Sequence, residues 1–354
     1  MSTREETVGE ALRRNGVSRR ALLKYCSGLA ASMALPASFA PAMAESVAAS
    51  RRQSVIWMSA QECTGCIESL TRVHAPTVDD LLLNLISLDY QEALQAAAGK
   101  QAHEALAQAV EANKGRYILV VDGSIATGLD GAYSTINGRT NLEEVKHLAE
   151  HALAVVAIGT CACYGGVGAA RPNPTGAVGI DEIITDRPVI NVPGCPPIPE
   201  VMAGVLTSFL TFGALPEMDH LRRPKAFFAE TIHDRCYRRP FYDQGKFAKT
   251  FDDEGARAGW CLYELGCKGP ITRNACATIK WNEGFTFPIQ SGHGCLGCSE
   301  PSFWDKESFY TPLSAGRWGS AEKVGAAAAA GAAMGLVAAG ASRLNTRRLM
   351  HKED

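Results

Sequence analysis

Apolar runs of strand length alternate with helical patterns over the first two thirds of the chain. The runs are Ser54–Met58, Leu81–Leu88, Arg116–Asp122, Ala154–Gly159 and Pro188–Val192. Helical periodicity marks the segments Gln91–Ala112, Leu142–His151 and Glu200–Phe212. This alternation is typical of a parallel sheet with helices packed on both of its faces. The pattern therefore predicts an α/β domain over residues 52–220.

Several of these predicted strands run into turns rich in glycine or cysteine. The turns are Glu62–Cys66, Asp122–Ser124, Gly159–Cys161 and Pro193–Cys195. In open α/β sheets, ligands bind in the crevice outside the carboxyl ends of the strands. Three of the four turns carry cysteines, so the pattern predicts a cysteine-lined site at this edge of the sheet.

The clean periodicity ends after about Leu215. Residues 221–317 are rich in glycine, proline and aromatic residues and contain six further cysteines. A stretch of this length without regular elements is uncommon in a compact domain unless it has a function of its own. Its aromatic and cysteine content predicts a loop-rich domain wrapped around bound metal.

The first 44 residues have the features of a twin-arginine export signal. Arg19 and Arg20 precede an Ala-rich, mildly apolar stretch, and Ala42-Met43-Ala44 fits a small-x-small cleavage site. The alternative is a basic amphipathic helix that stays in the mature protein. The twin-arginine route exports folded proteins with their cofactors, so the signal predicts a metal-loaded protein on the periplasmic side of the cell membrane. Residues 1–44, with Cys26, would be removed.

The C-terminal region carries a second targeting pattern. Residues 324–341 contain no charged residue, and several basic residues follow them, including Arg343, Arg347 and Arg348. A membrane-spanning helix needs about 20 apolar residues, and cations favour the cytoplasmic side. The pattern predicts a tail anchor, with a flexible Ala-rich tail as the alternative.

Charge and cysteine content narrow the class of protein. The formal net charge is -2, which gives no basic surface field, so nucleic acid is not an expected partner. Twelve cysteines in an exported chain would ordinarily indicate disulfides. Combined with a twin-arginine signal, their clustering indicates bound metal instead.

The first cysteine set comes from three of the predicted turns and consists of Cys63, Cys66, Cys161 and Cys195. Four thiolates suit a [4Fe–4S] cluster, although a tetrahedral zinc ion takes the same ligands. The C-x-x-C pair alone would also fit a redox dithiol. Ligands that arrive singly from distant loops favour the cluster. Cys163 would point away from Cys161 in an extended segment and is interpreted as a buried small hydrophobic residue.

The second set consists of His233, Cys236, Cys261 and Cys267. The H-x-x-C spacing places an imidazole and a thiolate on one turn, and the two later cysteines complete a shell of four. One histidine with three cysteines is also a common zinc site, so the residue types leave both an iron–sulfur cluster and zinc open.

The third set has three cysteines, Cys276, Cys295 and Cys298. Three thiolates fit a [3Fe–4S] cluster. The alternative is a zinc site with water as the fourth ligand, but no H-E-x-x-H or similar base accompanies it. The sequence also contains no P-loop, and no G-x-G-x-x-G follows a strand. Three metal sites without an acid–base pair predict a chain that passes electrons.

Six motifs, in this order along the chain, resemble the small subunit of a [NiFe]-hydrogenase. They are Glu62-Cys63-Thr64-Gly65-Cys66, Gly159-Thr160-Cys161-Ala162, Asn173-Pro174-Thr175-Gly176, Pro193-Gly194-Cys195-Pro196-Pro197, His233-Asp234-Arg235-Cys236 and Gly294-Cys295-Leu296-Gly297-Cys298. The resemblance covers almost the whole chain. It implies a flavodoxin-like N-terminal domain followed by an iron–sulfur domain.

The resemblance also implies which cluster each cysteine set holds. The first set would bind a proximal [4Fe–4S] cluster, the second a distal [4Fe–4S] cluster and the third a medial [3Fe–4S] cluster; we call them the proximal, distal and medial sets. No catalytic residue would lie in this chain, because the nickel–iron site belongs to a separate large subunit. Electrons from H2 would leave to a membrane cytochrome b or another redox acceptor.

Two further expectations accompany the resemblance. Oxygen-tolerant members carry two extra proximal cysteines, and this chain has Gly65 and Gly166 at the aligned positions, which predicts an ordinary cluster and an oxygen-sensitive enzyme. Glu62 is interpreted as a structural hydrogen-bonding group rather than a proton carrier. The rival function is a non-catalytic iron–sulfur carrier subunit of another redox complex, although the C-x2-C-x2-C run of ferredoxins is absent.

Overall fold

The computed structural model describes residues 6–33, 35–305 and 308–314. Its strands, numbered along the chain, are β1 (Gln53–Ser59), β2 (Ile86–Gln91), β3 (Ile118–Asp122), β4 (Ile125–Ala126), β5 (Thr135–Ile136), β6 (Arg139–Thr140), β7 (Ala154–Ile158), β8 (Ala177–Val178) and β9 (Val189–Val192). Five of them form a parallel sheet in the order β2-β1-β3-β7-β9. This is the order 2-1-3-4-5 of flavodoxin-like folds, so the predicted fold class is confirmed. The remaining strands pair as two short antiparallel ribbons.

The strands of the central sheet are buried on both faces. Every residue of β3 and β7 is buried, as expected for parallel strands that lie between two layers of helices. Successive side chains point to opposite faces, so Val120 and Val156 join one apolar core whereas Leu119 and Val155 join the other. The two cores hold the helices against the sheet.

The helices are α1 (Val8–Arg14), α2 (Arg19–Ser32), α3 (Phe39–Ala49), α4 (Gly65–Thr71), α5 (Val78–Asp80), α6 (Gly99–Ala112), α7 (Asn141–Glu150), α8 (Gly159–Tyr164), α9 (Ile180–Ile183), α10 (Pro199–Phe212), α11 (Lys225–Phe228), α12 (Arg239–Asp243) and α13 (Glu254–Arg257). Helix α7 begins with a capping box, in which Thr140 and Glu143 each accept the other's backbone N–H. Helix α6 buries Ala102, Leu106 and Val110 on one face, the spacing of an amphipathic helix.

One predicted strand is partly wrong. Leu81–Leu85 forms a π-helical turn, and β2 begins only at Ile86. Helix α6 consequently begins at Gly99 and not at Gln91. A continuous apolar run has no period that separates a buried strand from a buried helix, and four of the first five residues in this run are leucine. The other predicted strands and helices agree with the structure to within two residues.

Between residues 221 and 305, the described chain contains no β-strand. Short helices alternate with 3₁₀ turns at Ile232–Arg235, Tyr263–Leu265, Gly269–Ile271 and Ala275–Ala277. The loop-rich character predicted for this region is confirmed. A buried ion-pair network joins it to the first domain, since Arg223 binds both Asp219 and Glu300.

The N-terminal helices pack against α10. The Tyr25 hydroxyl lies 2.6 Å from the Thr207 hydroxyl, Ser46 donates to the Thr211 carbonyl at 2.9 Å, and Cys26 is fully buried. The removal of residues 1–44 stays a prediction. No helix in the described part of the chain is long and apolar enough to cross a bilayer, and the predicted tail anchor at residues 324–341 lies outside that part.

Candidate metal centre

The proximal set lies at the carboxyl edge of the sheet. Cys63 precedes α4, Cys66 is in its first turn, Cys161 is in the first turn of α8, and Cys195 follows β9. The loops that carry Cys161 and Cys195 are joined, because the backbone N–H of Thr160 donates to the Gly194 carbonyl at 2.9 Å. The parallel register explains the convergence, since the carboxyl ends of parallel strands share one edge.

Glycines leave room around these thiols. A Cβ added at Gly159 would lie 2.5 Å from the Cys66 sulfur, and one at Gly166 would lie 2.5 Å from the Cys161 sulfur. Both glycines have positive φ, a conformation in which a side chain is strained. At these two glycines the backbone lies so close to the thiols that a residue with a side chain would collide with the sulfur atoms.

The proximal thiols lie close enough together to affect the pKa of their neighbours. Burial raises the pKa of Cys66, and the nearby Asp122 and the other three thiols of the set raise it further. Burial also raises the pKa of Cys195 to about 12. Cys63 and Cys195 nevertheless have exposed parts, so the set lies at the surface of this chain.

The structure corrects one argument about Cys163. The segment is the short helix α8 and not an extended strand. The directions of the Cys161 and Cys163 side chains therefore differ because of the turn of the helix, and not because side chains alternate along a strand. Cys163 is fully buried, and its thiol lies 3.3 Å from the Ala157 carbonyl. Its interpretation as a buried small residue is confirmed, although the reason given for it was wrong.

The distal set is built on short turns of the second domain. His233 lies in a 3₁₀ turn that Thr231 and Asp234 cap reciprocally, and its ring packs edge-on against Tyr242 with centroids 4.6 Å apart. Burial lowers the pKa of His233, which favours the neutral imidazole that a metal requires.

The three distal cysteines are neighbours. Burial raises the pKa of Cys261 to about 11, and Cys267 and Cys236 add to this effect. Cys267 is buried, and its sulfur accepts the backbone N–H of Gly269 at 3.4 Å. The turn that holds Cys267 therefore also fixes the orientation of its thiol.

The medial set lies between the other two. Cys276 and Cys295 are buried and Cys298 is half-buried. Burial raises the pKa of Cys295 well above its usual range, and Cys267, Cys298 and Cys276 contribute in that order. The thiol of Cys295 thus faces both its own set and a distal cysteine.

Hydrogen bonds connect the three sets in a row. The backbone N–H of Cys295 donates to the distal Cys267 sulfur at 3.3 Å. On the other side, the Thr160 hydroxyl donates to the Cys298 carbonyl. The order of the sets in space is therefore proximal, medial, distal, and it follows from contacts between residues that are far apart in sequence.

Carboxyl groups beside the proximal set were not predicted as part of it. Asp122 ends β3, is fully buried, and accepts the Trp57 indole N–H at 3.0 Å. Burial raises its pKa to about 6 and those of Glu62 and Glu92 to about 7, with Asp122 adding to both. The only sequence feature that pointed to Asp122 was its position in the predicted turn Asp122–Ser124. Glu62 accepts the backbone N–H of Thr64, which agrees with its predicted structural role.

Among the described residues, no group of three or more His, Cys, Asp or Glu side chains converges as the ligands of a single metal ion would. In a cubane cluster the protein ligands bind different iron atoms, so they are spread around it and do not meet at a point.

Two family models match the chain. Residues 63–209 match the model described as NADH ubiquinone oxidoreductase, 20 Kd subunit. Residues 228–311 match the model for the C-terminal part of the NiFe/NiFeSe hydrogenase small subunit. The first match falls within the parallel-sheet region of the structure, and the second falls within its loop-rich region.

Full-length relatives decide the family. The uptake hydrogenase small subunit of Azotobacter vinelandii is 50% identical over 356 aligned residues, which cover 99% of each chain. The present chain belongs to the family of [NiFe]-hydrogenase small subunits. The Hydrogenase-1 small chain of Escherichia coli (strain K12) is 48% identical, and the alignment covers 95% of the present chain and 90% of that relative. The resemblance stated from six motifs is confirmed.

Solved structures agree with this assignment. A chain of the Ni-Fe-Se hydrogenase from Desulfomicrobium baculatum is 36% identical and superposes with a TM-score of 0.70, covering 74% of the present chain and 100% of its own. The actinobacterial-type NiFe-hydrogenase from Ralstonia eutropha H16 is 29% identical with a TM-score of 0.68. The chain is thus part of a hydrogenase, which is an oxidoreductase. The small subunits of this family carry iron–sulfur clusters.

Proposed function

We propose that this small subunit relays electrons from H2 oxidation at the nickel–iron site of a large subunit to a redox acceptor. The proximal set binds a [4Fe–4S] cluster, the medial set a [3Fe–4S] cluster and the distal set a second [4Fe–4S] cluster. The observation that carries the proposal is the row of three sets, joined by hydrogen bonds at Cys298 and at Cys295. A structural role for metal would not require such a row.

The residues present fit these clusters. Eleven ligands are available, ten thiols and one imidazole, and thiolates are the ligands of iron–sulfur clusters. Burial raises the pKa of most of these thiols. A buried thiolate therefore needs a positive partner, which iron supplies. The close approach of Gly159 and Gly166 to proximal sulfurs leaves space that a larger residue would fill.

When bound, iron–sulfur clusters supply one-electron redox chemistry. The protein around them sets each potential through burial and through hydrogen bonds to sulfur. Cys267 accepts two backbone N–H groups at its sulfur, from Gly269 and Cys295, and Cys295 accepts that of Gly297 at 3.4 Å. Such bonds stabilise the reduced, more negative state.

The proximal edge of the sheet is the docking surface of the large subunit. Cys63 and Cys195 have exposed parts in this chain. A cluster that exchanges electrons with a partner must be shielded from water, so the partner has to cover these cysteines. The exposed edge therefore supports docking of the large subunit at the carboxyl ends of β1 and β9.

The acceptor docks beside the distal set and is a membrane cytochrome b or another redox protein. His233 is half-buried, and the exposed charged residues Asp234, Arg235 and Arg239 surround its turn. The protein works on the periplasmic side of the cell membrane after twin-arginine export, with residues 324–341 as its tail anchor. Arg19 and Arg20 are exposed at the start of α2, which supports their recognition as a twin-arginine export signal.

The proximal cluster is of the ordinary kind, and the enzyme is oxygen-sensitive. A Cβ at Gly65 would lie 3.3 Å from the Cys63 sulfur and one at Gly166 would lie 2.5 Å from the Cys161 sulfur. Side chains at these two positions would touch the cluster ligands, and glycine offers no extra thiol there. An EPR signature of two-step, superoxidised proximal iron would contradict this proposal.

The decisive experiment is metal analysis and EPR of the purified heterodimer, oxidised and then reduced. We expect about eleven iron atoms in the three clusters by ligand count, a further iron together with nickel in the co-purifying large subunit, and an oxidised [3Fe–4S] signal. Iron without nickel or a large chain would indicate the alternative carrier function. Zinc in place of iron would overturn the proposal.

A matched pair of variants tests the ligand assignment. Cys295→Ser is expected to abolish the medial signal because it removes a proposed ligand. Cys163→Ser removes another buried thiol, which lies outside the three sets, and is expected to keep all signals. Loss of the medial signal in the Cys163 variant alone would refute the assignment.

A further inference from the structure

Thr160 connects three loops of the proximal and medial sets through one side chain. It lies in the first turn of α8, directly before Cys161, and is 1% exposed. Its hydroxyl accepts the backbone N–H of Gly194 at 3.0 Å and donates to the Cys298 carbonyl. One hydroxyl thus touches the loops of Cys161, Cys195 and Cys298.

The two bonds use the hydroxyl as both acceptor and donor. A methyl group can replace neither function, and breaking a buried hydrogen bond leaves its partners to be desolvated without compensation. The backbone of Thr160 adds a third bond, from its N–H to the Gly194 carbonyl at 2.9 Å. That third bond survives substitution of the side chain, so a valine at this position removes only the hydroxyl bonds to Gly194 and to the Cys298 carbonyl.

Further contacts hold the Cys298 segment in the same place. Glu300 accepts Arg223 at 3.0 Å and the backbone N–H of Arg273 at 2.7 Å. Ser299, which is fully buried, donates to the Arg273 carbonyl at 2.9 Å. The segment is therefore anchored after Cys298 by an ion pair, and at Cys298 itself by the Thr160 hydroxyl.

We propose that Thr160 is a positioning residue for electron transfer between the proximal and medial sets. Its hydroxyl fixes the Cys298 backbone against the Cys161 and Cys195 loops and completes a bonded path from Cys161 to Cys298. Electron tunnelling falls steeply with distance and crosses a hydrogen bond more readily than an open gap. Residues that orient metal ligands in this way typically change affinity or activity by about 10–100-fold when replaced. The inference rests on the proposed electron-relay function.

The test compares three variants of the complete, cluster-loaded heterodimer. Thr160→Val keeps the shape and loses the hydroxyl, whereas Thr160→Ser keeps the hydroxyl and loses the methyl group. Thr207→Val is the control, because this threonine is also fully buried but its hydroxyl contacts Tyr25 and donates to the Ala203 carbonyl, and neither residue belongs to a cysteine set. The readouts are the midpoint potential of the [3Fe–4S] EPR signal and the rate at which H2 reduces it.

We expect Thr160→Val to shift the medial potential and to slow reduction by about tenfold or more, while Thr160→Ser and Thr207→Val behave as wild type. Wild-type potential and rate in Thr160→Val would overturn the inference. If Thr160→Val fails to take up iron, Thr160→Ser decides: normal loading and rate support the hydroxyl, and a defect there assigns the residue to packing. Absence of all iron–sulfur signals from the wild type would instead refute the proposed function.

Discussion

Gly159 is the position at which a single methyl group has the most direct consequence for the proximal set. Its φ is +87°, and a Cβ there would lie 2.5 Å from the Cys66 sulfur. Non-bonded heavy atoms in contact lie about 3.5–4 Å apart, so the sulfur would have to move by about 1 Å. Metal–ligand distances hold within about 0.2 Å. The left-handed conformation costs a non-glycine residue a further ~1–2 kcal/mol.

We therefore expect Gly159→Ala to lose the proximal cluster and keep the other two. Cluster iron should fall by about four atoms of about eleven, the proximal EPR signal should disappear, and the oxidised [3Fe–4S] signal should remain.

The control is Gly115→Ala, at a residue in the same domain with φ +75° and no atom within 4 Å of an added Cβ. It carries the same conformational strain without the contact, so it should keep all its iron. Full iron and a normal proximal signal in Gly159→Ala would refute the reasoning. Equal iron loss in both variants would assign the effect to backbone strain.

Three further outcomes follow from the structure. Arg223→Met should destabilise the protein by about 3–5 kcal/mol, because it leaves two carboxylates without their buried cation. Arg235→Met removes an exposed ion pair and should leave stability almost unchanged; thermal unfolding compares the two variants. Burial would raise the pKa of Asp219, but its bonds to Arg223 outweigh this and lower it. The stability from this pair should be complete above about pH 4 and lost as pH falls further, measured by unfolding at a pH series. A chelator should remove iron from the partly exposed proximal set before the buried medial set, as followed by EPR of the isolated small subunit.

Local pattern predicted the sheet well because its strands are short apolar runs bounded by turns. β3 and β7 are buried on both faces, so nearly every residue in them is apolar and the runs stand out. The leucine-rich segment Leu81–Leu85 was the exception, since the identity of its residues fits a buried helix as well as a strand. The Cys163 segment shows the same weakness: six residues, Gly159–Tyr164, are too few to show a helical period.

The sequence by itself determined the candidate ligands, because cysteine and histidine are recognisable by chemistry and the strand ends are recognisable by periodicity. It also determined the family, through motifs that carry those ligands. Only the tertiary structure decided how the sets connect. Thr160 meets Cys298 across 138 positions of sequence, and Cys295 meets Cys267 through a backbone N–H. Backbone groups and a hydroxyl are common to any sequence, so their partners become visible only when folding brings distant loops together.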